Sequence, residues 1–241
     1  MRSAIIPAAL VLLVLLTAGC TSLREPCAEG SGTIVTEERI PGDFHAIRLT
    51  MPADLMLIPG DAPRVLIETD DTIIPVISTN TRDGVLTIAT TRLCVRPTGK
   101  PRVTVIYRNL DEVAILGTGD VTGERVIAAE TVKISITGAG SMDLAVAARS
   151  LATTITGMGT VNLSGSATDH NLVIPGAGTV NAAHLDTAAT TVEITGTGNA
   201  NVHARDSLSV RITGNGNVQY SGNPRSVQQS VTGIGSVKPA G

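Results

Sequence analysis

Few side chains in this sequence have the types and spacing that catalysis needs. A hydrolase or lyase acting on polysaccharides requires carboxylates, or a metal with a basic residue, gathered on one face. The nearest acidic residues, Asp120, Asp143 and Glu193, fall in different sequence repeats and at different positions within them. We therefore predict no catalytic residues, no cofactor and no enzymatic activity, and we keep a carbohydrate-active enzyme as the alternative.

The four histidines lack the spacing of metal ligands such as H-x-x-x-H. His170 falls at an inward position of its repeat, which predicts a core histidine. His184 with Asp186, and His203 with Asp206, come near one another on successive repeats. A polar turn is the prediction there, a weak metal site is the alternative, and we predict no bound metal.

Cys20 has the context of an acylated cysteine. Arg2 precedes an apolar run from Ala4 to Leu16 that is too short for a membrane span, and the run continues as Thr-Ala-Gly-Cys. This ending resembles a bacterial lipobox, which implies that residues 1–19 are a lipoprotein signal peptide. It further implies lipidation of Cys20 and, because Thr21 follows, sorting to the outer membrane. The predicted partner is thus a membrane, reached through an N-terminal lipid anchor.

Cys27 and Cys94 remain after Cys20 is assigned. In an oxidising compartment they could form a disulfide that ties residues 20–32, a predicted flexible leader, to the region that follows. Two unpaired thiols are the alternative, because a sequence does not show the distance between the two Cα atoms.

The composition argues against a nucleic-acid partner. The 241 residues carry a formal net charge of −3 and contain one Phe, two Tyr and no Trp. Phosphate backbones require a basic surface, and stacked bases require aromatic side chains.

The second half of the chain repeats Gly-x-Gly seven times at intervals of 18 to 21 residues, which is typical of stacked supersecondary units. Calcium-binding repeats place Asp after each pair, but only Asp120 does so here. The spacing from Gly117 to Gly123 also differs from that of a dinucleotide loop. The predicted turn glycines are Gly117, Gly119, Gly138, Gly140, Gly157, Gly159, Gly176, Gly178, Gly196, Gly198, Gly214, Gly216, Gly233 and Gly235.

Residues aligned on these pairs form columns that alternate between apolar and polar, as strands require. The residues two and four positions before each pair, and again two positions after it, are apolar except Thr153 and Gln229, and we predict that these columns point inward. We therefore predict an all-β fold, a two-sheet β-solenoid or parallel β-helix-like array of coils of about 19 residues, with glycine needed at each corner for positive φ or for close backbone packing. The outward columns give the candidate binding face: Thr137, Thr156, Thr195, Thr213, Asn162, Asn181 and Asn201.

Residues 33–110 lack this repeat but contain short β-branched segments separated by turns, which predicts a β-rich N-terminal region before the solenoid of residues 111–238. The end of this region is basic, which indicates a solvated face, with an anionic ligand patch as the alternative. A solenoid end that is not capped exposes unpaired strand edges. Homo-oligomerisation through the ends is therefore one of the alternatives for the partner.

Several segments resemble the bacterial head GIN domain family, described as auto-transporter adhesin heads. The similar segments are Phe44-His45-Ala46-Ile47, Asp54-Leu55-Met56-Leu57 before Pro59-Gly60, Gly84-Val85-Leu86-Thr87-Ile88, Val103-Thr104-Val105 and the Thr-Gly-x-Gly repeats. The resemblance implies a solenoid shaped like pectin-lyase helices without their catalytic residues, and a role in adhesion. The family supplies no site residues to transfer, and Pro175 departs from its Thr column.

The expected function is therefore a non-catalytic, lipid-anchored protein of the cell envelope, an adhesion or scaffold module for an unidentified protein or glycan. A periplasmic sensor or assembly partner in envelope stress is a further alternative. Residues alone do not separate these functions.

Overall fold

The computed structural model describes residues 26–240, so the predicted signal peptide of residues 1–19 and Cys20 lie outside the described part. Within it there are twenty strands, one short 3-10 turn at Ile74–Val76 and no α-helix. The strands are β1 Ala28–Glu29, β2 Ile34–Arg39, β3 Ala46–Leu49, β4 Ala53–Pro59, β5 Arg64–Asp70, β6 Ile77–Arg82, β7 Val85–Thr90, β8 Val95–Arg96, β9 Arg102–Tyr107, β10 Glu112–Ile115, β11 Thr118–Gly123, β12 Ile127–Ile136, β13 Ala139–Ile155, β14 Met158–Ile174, β15 Ala177–Ile194, β16 Thr197–His203, β17 Ser207–Ile212, β18 Asn215–Ser221, β19 Ser226–Val231 and β20 Ile234–Pro239.

Successive coils stack in parallel, and the predicted all-β solenoid is confirmed. One face runs β9–β4–β11–β13–β14–β15–β16–β18–β20, and the other runs β7–β3–β10–β12–β13–β14–β15–β17–β19. The inward columns fill the space between the faces. The isoleucine before each corner, from Ile115 to Ile212, is fully buried, as strand alternation predicts.

The middle coils have no separate turn at the end opposite the Gly-x-Gly corner. β13, β14 and β15 run without interruption from one Gly-x-Gly pair to the next, through residues such as Ala147-Ala148-Arg149-Ser150. Each keeps its hydrogen bonds to the neighbouring coil along this path, so a gradual bend replaces a turn. A register shift between Asn162 and Ser164 absorbs the one extra residue of the coil that follows.

The corner glycines are required by stacking. Apart from Gly140, whose φ is 157°, none of the fourteen turn glycines has a positive φ. A Cβ at Gly157 would instead lie 1.9 Å from the carbonyl oxygen of Gly138, in the coil below. Of the two reasons that the sequence left open, close backbone packing is therefore the one that applies.

Parallel stacking continues from the predicted solenoid of residues 111–238 into the β-rich N-terminal region of residues 33–110. In the N-terminal region, β3 and β4 pair in parallel with β10 and β11. The next layer, β7 and β9, pairs in parallel with β3 and β4. Antiparallel strands then close this end. β6 pairs with β7, β5 pairs with β9, and β2 pairs with β5. The β-rich N-terminal region thus forms two further layers of the stack and its cap.

The described part of the predicted leader, which spans residues 20–32, is attached to this cap from Cys27 onward. Cys27 and Cys94 form a disulfide with a Cα–Cα distance of 4.6 Å, and β1 pairs in parallel with β8. The Asp70 carboxylate is fully buried and accepts hydrogen bonds from the backbone of Gly32 and Thr98 and from the Thr98 hydroxyl. Burial raises the pKa of Asp70, but these hydrogen bonds outweigh burial and hold its pKa below the ordinary value.

The opposite end of the stack is open. β19 and β20 form the outermost coil, and no other described residue stacks beyond them. The inward column is consequently exposed here, with Val231 at 41%. Gln229, which the repeat alignment placed inward, is also exposed.

His170 is a polar residue in the core, as its position in the repeat predicted. Its Nε2 lies 3.1 Å from the Thr153 hydroxyl, while its Nδ1 has no hydrogen-bond partner among the described residues. Burial lowers the pKa of His170 to about 4, from an ordinary value of 6.5. The folded protein therefore holds this imidazole neutral.

This histidine should make the protein sensitive to acid. The unfolded chain binds the proton at higher pH than the folded chain, so the stabilisation is complete above pH 6.5 and is lost as pH falls towards 4. The limiting loss is about 3 kcal/mol, at about 1.4 kcal/mol per pKa unit. Urea unfolding at pH 7 and pH 4.5 measures it. His170→Gln should lose most of this pH dependence and the exposed control His184→Gln should keep it; an equal pH dependence in both would contradict the assignment.

Candidate functional site

The face that follows each Gly-x-Gly corner carries two outward columns, which we call the polar face. Strand alternation places them one and three residues after the second glycine, and parallel pairing stacks them coil on coil. The first column is Asp120, Ser141, Thr160, Thr179, Asn199, Asn217 and Ser236. The second is Thr122, Asp143, Asn162, Asn181, Asn201, Gln219 and Lys238.

Amide groups on this face are bonded between coils. Asn181 Nδ2 donates to Asn162 Oδ1 at 2.9 Å, and Asn201 Nδ2 donates to Asn181 Oδ1 at 3.0 Å. These three candidate residues therefore form one ladder. Each Nδ2 has two hydrogens and each Oδ1 two lone pairs, so every rung keeps hydrogen-bonding capacity for a ligand.

The first column forms a second ladder nearer the open end. Asn217 Nδ2 donates to Asn199 Oδ1 at 3.3 Å, and Ser236 Oγ donates to Asn217 Oδ1 at 2.9 Å. This ladder is a ridge between two shallow grooves. One groove, of about 350 Å³, is lined by Asn199, Asn201, Asn217, Gln219, Ser236 and Lys238. The other, of about 300 Å³, is lined by Thr197, Gly198, Asn199, Asn215, Gly216, Asn217, Ile234 and Gly235.

The candidate threonines do not join this face. Thr137, Thr156, Thr195 and Thr213 precede the corner and form a separate exposed column, in which each backbone N–H donates to the carbonyl of the isoleucine one coil earlier. Pro175 interrupts the column because it has no N–H, and Gly176 N donates to Ile155 O at 3.1 Å in its place. The candidate Thr and Asn residues therefore lie in two separate columns, one on each side of the Gly-x-Gly corner.

Sequence reasoning missed the first column of the polar face as a binding candidate. The signal was present, because the residue two positions before each candidate Asn must point to the same side of the strand. Thr160 and Thr179 precede Asn162 and Asn181 in this way, and Asn199 precedes Asn201.

The other end of the polar face is charged. Lys100 Nζ lies 2.5 Å from Asp54 and from Asp120, and Asp120 also accepts hydrogen bonds from the backbone and hydroxyl of Ser141. The hydrogen bonds from Lys100 and Ser141 lower the pKa of Asp120, so this carboxylate is ionised at neutral pH. Partial burial lowers the pKa of Lys100, but its bonds to the two carboxylates outweigh burial and raise the pKa. Asp120 thus has the wrong protonation state for a general acid.

The basic end of the N-terminal region is largely neutralised. Four of its five basic residues pair with carboxylates: Arg96 with Glu29, Lys100 with Asp54 and Asp120, Arg102 with Glu68, and Arg108 with Asp43. For these four residues the pairing supports a solvated face over an anionic ligand patch.

Asp186, one of the predicted alternative metal ligands, is paired with an arginine. Arg205 Nε lies 3.1 Å from the Asp186 carboxylate, closer than His203 Nε2 at 3.7 Å. Between residues 26 and 240 there is no group of three or more His, Cys, Asp or Glu side chains placed to hold a metal ion.

No helix in the same range is long and apolar enough to cross a membrane.

A family model described as "Putative auto-transporter adhesin, head GIN domain" matches residues 43–224, which span most of the solenoid. The chain belongs to this family. No curated protein matches the sequence.

Solved structures share the fold of this head GIN chain. A putative adhesin from Bacteroides fragilis NCTC 9343 superposes with a TM-score of 0.84 at 23% identity, covering 88% of this chain and 99% of the other. A putative lipid binding protein from Parabacteroides distasonis ATCC 8503 gives 0.71 at 19% identity, with coverage of 88% and 99%. A putative adhesin from Parabacteroides merdae ATCC 43184 gives 0.68 at 24% identity, with coverage of 88% and 98%.

Proposed function

We propose that this chain is a lipid-anchored adhesion module of the cell envelope that binds a neutral glycan through the polar face. The observation that carries the proposal is the ridge of Asn199, Asn217 and Ser236 between two grooves. Membership of a family named for adhesins supports a role at the cell surface or envelope.

The chemistry of the ridge favours sugar hydroxyls over charged ligands. Its amides and hydroxyl can each donate and accept, and they repeat at about 4.8 Å, the spacing between neighbouring strands. Lys238 is the single charged residue lining the larger groove, and no charged residue lines the smaller one. The fixed β-scaffold positions these groups before binding, which reduces the entropy cost of binding.

A paired variant tests the ridge. The protein from Cys20 onward is screened against neutral polysaccharides, polyuronides and matrix proteins, and Asn199→Ala/Asn217→Ala is compared with the wild type. Each lost hydrogen bond should weaken binding by about fivefold, from a net contribution of about 1 kcal/mol. The control Thr191→Ala/Ser209→Ala removes two exposed polar side chains from adjacent coils of the other face. Absence of saturable neutral-glycan binding, or an equal loss in the control, would contradict the proposal.

The anchor is tested separately. Radiolabelled palmitate should label the wild type and not Cys20→Ala, because the lipobox-like segment offers that thiol for acylation. Labelled wild type should fractionate with outer membranes. Equal labelling of the two proteins would remove Cys20 as the anchor while leaving the glycan site untouched.

A further inference from the structure

A loop beside the disulfide holds a leucine out in solvent. Leu93 lies between β7 and β8, next to Cys94, and has a relative exposure of 110%. The loop is fixed on both sides. Thr91 donates its backbone N–H and its hydroxyl to the Val76 carbonyl at 2.8 and 3.2 Å, and Ala28 N donates to Cys94 O at 3.0 Å. A fully exposed Leu on a fixed loop suits an apolar environment better than water.

A second exposed apolar residue follows Arg39, whose side chain reaches the 3-10 turn at Ile74–Val76. Ile40 is 85% exposed and directly follows Arg39. The Arg39 guanidinium donates to Ile77 O at 2.6 Å and to Ile74 O at 3.0 Å, so Arg39 is fixed against the 3-10 turn. The Leu93 loop is held by the Val76 carbonyl of the same turn. We call Ile40 and Leu93 the apolar tip.

Arg92 gives the tip one unpaired cation. The other four basic residues of this region are paired with carboxylates, whereas Arg92 makes no ion pair with any residue between 26 and 240. A guanidinium beside exposed apolar side chains fits a phosphate at the boundary of a lipid bilayer.

With the proposed acyl anchor on Cys20, the short leader places the tip near a membrane. Seven residue steps separate Cys20 from Cys27, so their Cα atoms are at most about 25 Å apart. The disulfide holds the Cα of Cys27 4.6 Å from that of Cys94, the neighbour of Leu93. The leader therefore enters the protein beside the apolar tip.

We propose that Leu93 and Ile40 insert into the headgroup boundary of the bilayer that carries the acyl chains, with Arg92 on a lipid phosphate. This inference rests on the proposed acylation of Cys20. The cap end then sits on the membrane, and the coils stack away from it towards β19 and β20. The glycan ridge, which lies near the open end, is presented outward from the bilayer.

Tryptophan fluorescence tests this contact, because the chain contains no Trp. Cys20 is the third cysteine besides the disulfide pair, so its thiol can be coupled to a maleimide phospholipid in phosphatidylethanolamine/phosphatidylglycerol vesicles. This coupling reproduces the tether whether or not cells acylate Cys20. In such vesicles Leu93→Trp should show blue-shifted emission and several-fold more quenching by brominated lipid than Met158→Trp, a control at a mid-array corner that is 66% exposed.

Equal emission and equal quenching in the two coupled proteins would overturn the proposal. Adding Arg92→Gln to Leu93→Trp should reduce the quenching in these vesicles, and unchanged quenching would remove the phosphate contact. Palmitate labelling reports the natural anchor independently, so failure of the anchor and failure of the tip are distinguished. Circular dichroism of each variant checks the fold, which these exposed positions should leave unchanged.

Discussion

Replacement of Gly157 by alanine should destabilise the protein by about 3 kcal/mol or more, at the upper end of the range for overpacking. The added Cβ would lie 1.9 Å from Gly138 O and 2.4 Å from Thr137 O. Both are backbone atoms of the coil below, so no side-chain rotation can relieve the contact. The two coils would have to separate, at the expense of the hydrogen bonds of Gly157 and Met158 to that coil.

Thermal unfolding measures this effect. For a chain of this size, about 1 kcal/mol corresponds to a change of about 2–4 °C in Tm, so a decrease of about 6–12 °C or more is expected. Met158→Ala is the matched control, because Met158 is the exposed residue between the two glycines of the same corner. A similar Tm for Gly157→Ala and the control would show that the corner accommodates a Cβ and that stacking does not require glycine.

The repeat alignment predicted the core because burial in a solenoid follows local alternation. Ile136, Ile155 and Ile174 occupy equivalent positions of successive coils, and because side chains alternate between the two faces of a strand, all three point into the core. The prediction of burial was wrong for Gln229 and Val231, because these residues lie on the last coil and no described residue covers them. Alternation along a strand does not show where the stack ends.

The N-terminal layers and the charged cluster could not be predicted in the same way. β3 and β4 stack on β10 and β11 without a Gly-x-Gly corner, so no sequence period marks them as coils. Lys100, Asp54 and Asp120 meet only because β4 lies between β9 and β11 in the ladder. Their separation in the sequence gives no local signal.

Replacement of Ile174 by aspartate should destabilise the protein by several kcal/mol. Ile174 is fully buried, and it packs against Gly198 of the next coil. Aspartate would place a carboxylate in an aliphatic core without a partner, which costs several kcal/mol even when the group takes up a proton. Thr195→Asp, on the exposed column one residue after the next isoleucine, should change stability by no more than about 0.5 kcal/mol.

A graded variant covers the case in which Ile174→Asp does not fold. Ile174→Ala removes the same packing without a charge and should cost about 2–5 kcal/mol in urea unfolding. The order of stability should be wild type, then Thr195→Asp close to it, then Ile174→Ala, then Ile174→Asp. Similar midpoints for Thr195→Asp and Ile174→Ala would mean that the two columns do not differ in burial. Because every coil repeats this arrangement, that result would count against the inward and outward assignment of the whole array, including the polar face.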